Sequence, residues 1–359
     1  MKILFLVIAP KIAASSRTRV YQYLPFFLKD KIDYKVLLYR TGLDYYLHGY
    51  WPENFFLRNL IYKFIGLCDV LFSSFQTLRL ISIAKFYDII FIQKVLLPNI
   101  VVKIIKSLYH RKIVFDFDDA IYADAQCYNK NRFDSQIPLY DLIILENEYT
   151  KRYVNERGNK NVLKITGPID VKNYCSKEDA HKEEVVVGWI GSPSTQGYLC
   201  PCKEIFKKLS NKYPNLIFEF IGASNINLDG VRFKVKRWNM NTEISDIQNF
   251  DIGIMPLPDN EWTRGKGGYK LLQYGAVGIP SVASPIGVNN EIVFNSENGF
   301  LADSEDEWYL KISQLIEDKS LRIKMGRANA QRMKERYSYE VAYHALRESL
   351  LKLRMAKDV

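Results

Sequence analysis

Several residue types that mark specialised folds are scarce in this sequence. Only five of the 359 residues are cysteines, an odd number scattered along the chain, which argues against a disulfide framework. Four dispersed histidines form no evident metal site, and Cys200 and Cys202 lack the CxxC spacing of zinc ligands. The 13 prolines and 19 glycines are too few for a collagenous or disordered chain. We therefore expect a globular protein of the reducing cytoplasm that holds no metal and no cofactor of its own.

Long uncharged apolar runs are missing as well. The best candidate, residues 64–78, is interrupted by Asp69, so we expect no transmembrane helix. The apolar run at residues 3–9 is followed by Lys11 without a small-residue cleavage site, which indicates a β-strand rather than a signal peptide. The length exceeds that of one ordinary core and predicts two domains.

Positive charge and aromatic residues concentrate in the first third of the chain. Residues 1–112 hold 17 Lys and Arg against 6 Asp and Glu, and 21 of the 49 aromatic residues. Such a surface attracts anions, including lipid headgroups, but the sequence carries no nucleic-acid-binding signature and we expect no nucleic acid partner. Apolar residues between positions 54 and 87 recur at helical spacing, with Arg58, Lys63, Arg79 and Lys85 among them. These apolar residues are Phe56, Leu60, Phe64, Leu67, Leu71, Phe75 and Leu78. This pattern fits both a helix on an anionic membrane surface and an ordinary core-facing helix.

Strand-like runs alternate with helical segments in both halves, which predicts an α/β fold with parallel sheets. The alternation starts again near residue 185, so we predict two Rossmann-like domains that face each other across a ligand cleft. The first covers residues 1–166 and the second residues 185–338, with a linker over 167–184 and a C-terminal helix over 339–359 that packs back on the first domain. The predicted strands cover residues 2–9, 34–39, 88–93, 112–117, 142–145 and 162–165, then 185–190, 217–221, 232–235, 251–255, 281–283 and 299–301.

A glycine-rich stretch after the strand at 251–255 carries the most informative chemistry. Its glycines free the backbone to approach a ligand, and a helix is predicted to begin near Gly267 or Gly268, where N–H groups and the helix dipole favour an anion. The side chains of Lys266, Lys270 and Gln273 are predicted to share one helix face. The ammonium groups of the two lysines would bind a pyrophosphate, and the Gln273 amide would hydrogen-bond a ribose diol. A glycine-rich turn with a solvated basic face is the structural alternative.

Two further groups in the second half are candidates for the same ligand. Ser192 and Thr195 follow the first strand of that half, where a loop contacts phosphates in Rossmann units, although such a loop also caps a helix. Trp238 follows another strand and would flank a nucleobase, or pack in the core.

Polar residues also follow strands in the first half. Arg17 and Arg19 come after the first strand and would meet a donor or acceptor phosphate, unless they are ordinary surface arginines. Asp118 and Asp119 end a strand and would bind acceptor hydroxyls or serve a catalytic base, unless they cap a loop.

At these residues the sequence resembles the retaining GT-B glycosyltransferases of family 4, the group 1 transferases, particularly those that build bacterial surface polysaccharides. The resemblance spans nearly the whole chain and is specific over residues 188–302. The matching stretches are residues 251–257, 265–266, 270–274, 278–285, 287–293 and 298–302, with looser matches at 16–19, 115–119 and 188–193.

The resemblance implies transfer of a sugar from a nucleotide-diphosphate donor to a lipid-linked or growing glycan acceptor, on the inner face of the cell membrane. It implies that Asn290 and Glu291 contact the donor, and that Lys266, with Arg264 or Lys270, holds the diphosphate in catalysis.

One feature of the family is altered in this chain. The family pairs two glutamates with seven residues between them, whereas here the second position is Gln273 and the first is Gly265. A catalytically degenerate, glycosyltransferase-like binding subunit is therefore the alternative function. Nucleic-acid binding through the basic first domain is a third hypothesis, and it would be steeply salt-dependent.

Overall fold

The computed structural model describes residues 1–43, 47, 57–124, 129–175, 183–224 and 226–356. These residues divide into two units. The first comprises Met1–Ile165 together with the chain from residue 342 onward, and the second comprises Thr166–Val341.

Six parallel strands form the sheet of the first unit within its described residues, in the order β2-β1-β3-β4-β5-β6. The central strands are buried on both faces, which explains their nearly continuous apolar sequences. The strands are β1 (Lys2–Val7), β2 (Asp33–Leu38), β3 (Ile89–Gln93), β4 (Lys112–Asp116), β5 (Leu142–Leu145) and β6 (Val162–Lys164).

Helices flank this sheet, and the last helix of the chain belongs to the same unit from residue 342 onward. Its Tyr343 ring stacks on Phe26 with 5.0 Å between ring centroids, and the Tyr343 hydroxyl donates to Asp30 Oδ2 at 2.8 Å. The helices are α1 (Ala14–Ser16), α2 (Leu24–Lys29), α3 (Arg58–Ala84), α4 (Asn99–Lys103), α5 (Lys130–Gln136), α6 (Glu148–Glu156) and the C-terminal α14 (Tyr339–Met355).

The second unit, as described, holds another six-stranded parallel sheet, in the order β12-β11-β10-β7-β8-β9. When the strands are numbered from β7, this is the strand order of a doubly wound Rossmann fold. The strand order reverses between the neighbouring strands β7 and β10. Ligands of such folds bind outside the carboxyl ends of the strands at this switch point. The strands are β7 (Val185–Ile190), β8 (Leu216–Ile221), β9 (Phe233–Lys236), β10 (Ile252–Met255), β11 (Ser281–Ala283) and β12 (Gly299–Leu301).

Close packing against the long helix α13 (Lys319–Arg336) positions helix α10 (Tyr269–Ala276). A Cβ at Gly275 would lie 2.6 Å from Met333 Cγ, so only glycine allows this approach. The remaining α-helices described in this unit are α7 (Lys203–Lys212), α8 (Glu243–Gln248), α9 (Glu261–Arg264), α11 (Asn289–Ile292) and α12 (Glu305–Glu317), and a short 3₁₀ helix spans Pro193–Cys202.

The structure confirms the α/β class and all twelve predicted strands, within two residues at each end. The segment interpreted as a linker lies in the second unit: Ile169 is buried, and its N–H donates to Tyr337 O at 2.8 Å. Residues 176–182 of that segment lie outside the described residues.

Helix α3 departs from the core-facing interpretation and from the sequence argument that no stretch is long and apolar enough to cross a membrane. Residues 59–84 are long and apolar enough by length and composition, with 17% of the apolar window buried. The absence of a transmembrane helix stays a prediction. The core-facing interpretation is wrong for most of the apolar set, because Leu60, Phe64, Leu67, Leu71, Phe75 and Leu78 are exposed. Phe56 lies outside the described residues.

Candidate functional site

Helix α10 is hydrogen-bonded through Tyr274 to both strands at which the second sheet reverses its order. The Tyr274 hydroxyl accepts a hydrogen bond from the Ile190 N–H at 3.3 Å and donates to Ile254 O at 3.2 Å, so it bridges β7 and β10. The helix begins after Gly268, which has a φ of 70° in the left-handed region. This confirms the predicted start of the helix and places it at the switch point of the sheet.

Two lysines flank the start of α10. The Lys270 ammonium lies 5.3 Å from the centre of the Trp189 ring at the end of β7, and the Lys266 ammonium lies 5.0 Å from the Trp262 ring. Lys266 precedes the helix, because the left-handed Gly268 interrupts the helical path. The predicted common helix face is therefore wrong for Lys266 and applies to Lys270 and Gln273 alone.

A buried hydrogen-bond chain joins Gln273 to Trp238. The Gln273 amide donates to the Tyr174 hydroxyl at 3.1 Å, and that hydroxyl donates to Glu243 Oε1 at 2.5 Å. The other oxygen of Glu243 accepts from the Trp238 indole N–H at 2.5 Å. The structure thus links two residues predicted to contact the nucleoside, through Tyr174 and Glu243, which the sequence analysis did not single out.

The turns after β7, β8 and β9 lie against one another. A Cβ at Gly222 would lie 2.1 Å from Gly191 O and 3.3 Å from Trp238 Cβ. In the first of these turns the Ser192 N–H donates to Thr195 Oγ1 at 3.2 Å, and the two side chains form a capping box. Ser192 and Thr195 therefore start the short helix at Pro193–Cys202, which is the structural alternative that their sequence left open.

The turns after β10 and β11 form the other side of this region. Arg264 makes a bidentate ion pair with Asp259, at 2.6 and 2.8 Å, and this pair lowers the pKa of the Asp259 carboxyl. A Cβ at Gly287 would lie 2.4 Å from Arg264 O. The exposed Asn290 amide donates to Pro285 O at 2.9 Å.

Glu291 and Asn289 lie on the neighbouring short helix α11. The carbonyl oxygen of Glu291 accepts hydrogen bonds from Arg332 and Tyr337, and its side chain is half-buried. The completely buried Asn289 amide donates to Ser284 O at 2.9 Å, while its Oδ1 has no hydrogen-bond partner among the described residues. A Cβ at Gly268 would lie 3.8 Å from that oxygen, so Asn289 lies beside the start of α10.

In the first unit, Arg19 is buried in an ion-pair cluster at the carboxyl edge of the sheet. Its guanidinium donates to Asp116 Oδ2 at 2.6 Å, to Glu146 Oε1 at 3.4 Å and to Ile165 O at 2.8 Å. Burial by itself would lower the pKa of Arg19, but the two carboxylates raise it above the usual value. The sequence-based role of Arg19 on an acceptor phosphate needs correction, because these contacts join the ends of β4, β5 and β6.

Arg17 is also buried, and its Nη1 donates to Ile12 O at 3.3 Å. Its role on a donor or acceptor phosphate stays a prediction.

Asp118 and Asp119 follow β4 at the same edge. The Lys94 ammonium lies 2.7 Å from Asp118 Oδ1. Burial would raise the pKa of Asp118, but Lys94 and a hydrogen bond from Ser15 hold it below the usual value. Lys94 thus stabilises the charged form of Asp118, and Asp119 beside it adopts a left-handed φ of 56°. Their catalytic role stays a prediction.

Three residues of the candidate site, Tyr174, Glu243 and Lys94, were not identified from the sequence. Tyr174 and Glu243 are separated from Gln273 by 99 and 30 residues, and no local pattern marks either of them. Lys94 follows a predicted strand, as Asp118 and Asp119 do. This position after a strand is the feature of the sequence that could have identified it.

The second unit matches a known family. Residues 184–318 fit the family model described as "Glycosyl transferases group 1". No curated protein sequence is similar enough to the chain to match it.

Solved structures share the fold over the whole chain. HepE from Anabaena, crystallised with UDP and glucose, is 16% identical with a TM-score of 0.68, covering 98% of this chain and 99% of that one. A glycosyltransferase from Rickettsia africae is 14% identical with a TM-score of 0.75, covering 99% of both chains. Sucrose-phosphate synthase from Thermosynechococcus elongatus is 12% identical with a TM-score of 0.71, covering 99% and 100%. The two parallel sheets have the GT-B fold. Residues 184–318 form a group 1 glycosyltransferase domain, and the protein is a glycosyltransferase.

Proposed function

We propose that the protein binds a nucleoside-diphosphate sugar at the carboxyl edge of the second sheet and transfers the sugar, with retention of its anomeric configuration. The observation that carries this proposal is the start of α10. There a left-handed glycine, the helix N-terminus and the Lys270 ammonium lie at the point where the strand order reverses.

The residues around α10 have separate tasks in this proposal. Lys266 and Lys270 stabilise the diphosphate as the bond from the anomeric carbon to its oxygen breaks and the electron pair leaves with the phosphate. Arg264, Asn290 and Glu291 border the same turns. The charge for the leaving group comes from side chains and backbone dipoles rather than from a metal or a cofactor.

The nucleoside would lie towards the chain of Trp238, Glu243, Tyr174 and Gln273. That chain fixes the indole ring, which would flank the base, and holds Gln273 in place. Ser192 and Thr195 in the neighbouring turn present hydroxyls beside Gly191. The presence of UDP in the HepE structure supports UDP as the first nucleotide to test.

The proposed acceptor is the hydroxyl of a lipid-linked or growing glycan in bacterial surface polysaccharide synthesis. Its oxygen forms the new bond to the anomeric carbon on the face that the diphosphate leaves, and its proton passes to a base, for which Asp118 and Asp119 stay the predicted candidates. The resemblance over residues 188–302 supports this acceptor class. We propose that the reaction takes place in the cytoplasm, and the free thiols of Cys68, Cys175, Cys200 and Cys202 support that location.

The first test is nucleotide binding by the full chain and by Lys270→Met. Calorimetric titration with UDP and UDP-glucose, then with the other nucleoside diphosphates, should find one base that binds. Lys270→Met should weaken that binding about 10- to 100-fold, since a charge-assisted contact is worth about 1.5–3 kcal/mol. Lys203→Met, which removes an exposed ammonium on α7, is the matched control and should bind like the wild type.

Turnover separates the enzyme from a binding subunit. Incubation with the sugar conjugate of the nucleotide that binds and a glycan acceptor with free hydroxyls should transfer the sugar to an acceptor hydroxyl and release the nucleoside diphosphate. NMR of the glycosylated acceptor should show the donor's anomeric configuration. An inverted product would refute retention. Binding by no nucleotide, or equal binding by Lys270→Met and the wild type, would refute the placement of the donor site.

A further inference from the structure

Helix α3 presents a row of large apolar side chains to solvent. Leu60, Phe64, Leu67, Leu71, Phe75 and Leu78 are each between 56% and 68% exposed, and they recur every three or four residues along one side of the helix. These six residues are called the α3 face below. A contiguous exposed apolar surface of this kind marks an interaction site rather than ordinary scatter.

The opposite side of α3 is attached to the first unit. Ile65, Leu80 and Ala84 are buried there. Asp69 Oδ1 accepts hydrogen bonds from the Thr41 N–H at 2.8 Å and from its hydroxyl at 2.5 Å. Crossing a bilayer would detach these groups and place the Asp69 carboxylate in hydrocarbon. The contacts therefore favour a helix that stays on its sheet and uses only the α3 face.

The charges of the described residues beside the α3 face have one sign. Lys63, Arg79 and Lys85 are exposed, and the Lys85 ammonium lies 5.2 Å from the ring centre of the exposed Phe86. Arg111 also reaches this end, where its Nη2 donates to Lys85 O at 2.8 Å. The sequence of α3 contains a single acidic residue, Asp69, and its carboxylate is hydrogen-bonded to Thr41 on the side of the helix that is attached to the first unit.

This arrangement distinguishes between two occupants of the α3 face. A second copy of the helix would need charges of both signs on its flanks for complementary pairing, and the described flanks carry cations together with Ser74 and Ser82. An anionic bilayer surface complements an apolar stripe bordered by lysine and arginine. We infer that the α3 face inserts into the headgroup region of an anionic membrane, with the helix lying in the plane of the bilayer.

The inference is tested with the full chain and vesicles of phosphatidylcholine alone or with 30% phosphatidylglycerol. Flotation should recover the protein with the anionic vesicles and not with the neutral ones. The triple variant Leu67→Gln, Leu71→Gln, Phe75→Gln should reduce the bound fraction at least tenfold, and so should Lys63→Glu, Arg79→Glu, Lys85→Glu.

Matched variants separate this face from general effects of charge and polarity. Leu310→Gln changes an equally exposed leucine in the second unit, and Lys203→Glu, Lys324→Glu, Lys334→Glu changes the charge by the same amount there. Both should float like the wild type. All variants should keep the wild-type melting temperature and nucleotide affinity, so failure here is distinct from failure of the donor site.

Four outcomes would overturn the inference. Equal binding to neutral vesicles, or resistance to extraction at alkaline pH, would indicate a spanning helix. Dimerisation abolished by the Leu67, Leu71 and Phe75 changes, without vesicle binding, would assign the α3 face to a second copy. Flotation of both triple variants at the wild-type level would show that the face has no part in membrane binding.

Discussion

A single buried arginine organises the carboxyl edge of the first sheet. Arg19 joins Asp116 at the end of β4, Glu146 after β5 and the Ile165 carbonyl after β6. Removing charges from water is costly, and one guanidinium faces two carboxylates here. Glu146 lies farther from the guanidinium than Asp116 does, so it is the carboxylate whose ionisation Arg19 compensates least.

The pKa of Glu146 leads to a prediction about stability and pH. Burial raises that pKa well above its usual value; Arg19 opposes the rise, and Asp118, Asp119 and Asp116 add to it. The native state then holds the proton more tightly than the unfolded state, so stability falls as pH rises from about 4.3 towards the folded pKa. Within that window each pH unit costs the wild type about 1.4 kcal/mol.

Glu146→Gln removes this penalty while keeping a hydrogen-bond acceptor for Arg19. Calorimetric melting should show the variant gaining stability over the wild type as the pH rises above about 5. Glu156→Gln, whose side chain is exposed, should follow the wild type at every pH. A difference between Glu146→Gln and the wild type that stays constant with pH would contradict the prediction.

Among the elements, α10 depends on the conformation of the residue before it. Gly268 has a φ of 70°, and a Cβ there would lie 2.6 Å from Ile292 Cδ1 and 2.8 Å from Val288 Cγ1. Gly268→Ala should therefore destabilise the protein by about 1–3 kcal/mol and weaken nucleotide binding, because the start of the helix must shift. Chemical denaturation and nucleotide titration measure both effects.

Gly197→Ala is the control for this change. Gly197 lies in the same unit, outside the left-handed region, and a Cβ there meets nothing within 4 Å. It should leave stability and nucleotide affinity within error of the wild type. Equal behaviour of the two alanine variants would show that the left-handed turn does not hold α10 in place.

The elements also show what the sequence could and could not predict. Central strands buried on both faces leave short apolar runs bounded by polar turns, so their positions are predictable from the sequence. The partly exposed strands β2, β6 and β9 are predicted from the alternation of strands with helices. Helical spacing of apolar residues is the same whether they face a core or a solvent-exposed surface, so the orientation of α3 was undetermined. The partners of Arg19 and Gln273 come from distant segments, and tertiary packing alone brings them together.

For the whole molecule, the tryptophans provide a probe of one unit. Four of the five, Trp189, Trp238, Trp262 and Trp308, lie in the second unit, and each unit has its own apolar core. Trp189 lies beside Lys270. Trp238 belongs to the hydrogen-bonded chain that leads to Gln273. Tryptophan fluorescence therefore reports unfolding of the unit that carries the proposed donor site.

A ligand that binds only the folded second unit should stabilise that unit selectively. At a hundredfold excess over its dissociation constant the nucleotide adds about 2.7 kcal/mol, which should raise the melting temperature seen by tryptophan fluorescence. Hydrogen exchange under the same conditions should slow in β7, β10 and α10, while β3 and β4 of the first unit keep their rates. Equal protection of both sheets would contradict this prediction, because the two cores would then open as one cooperative unit and the nucleotide would stabilise both.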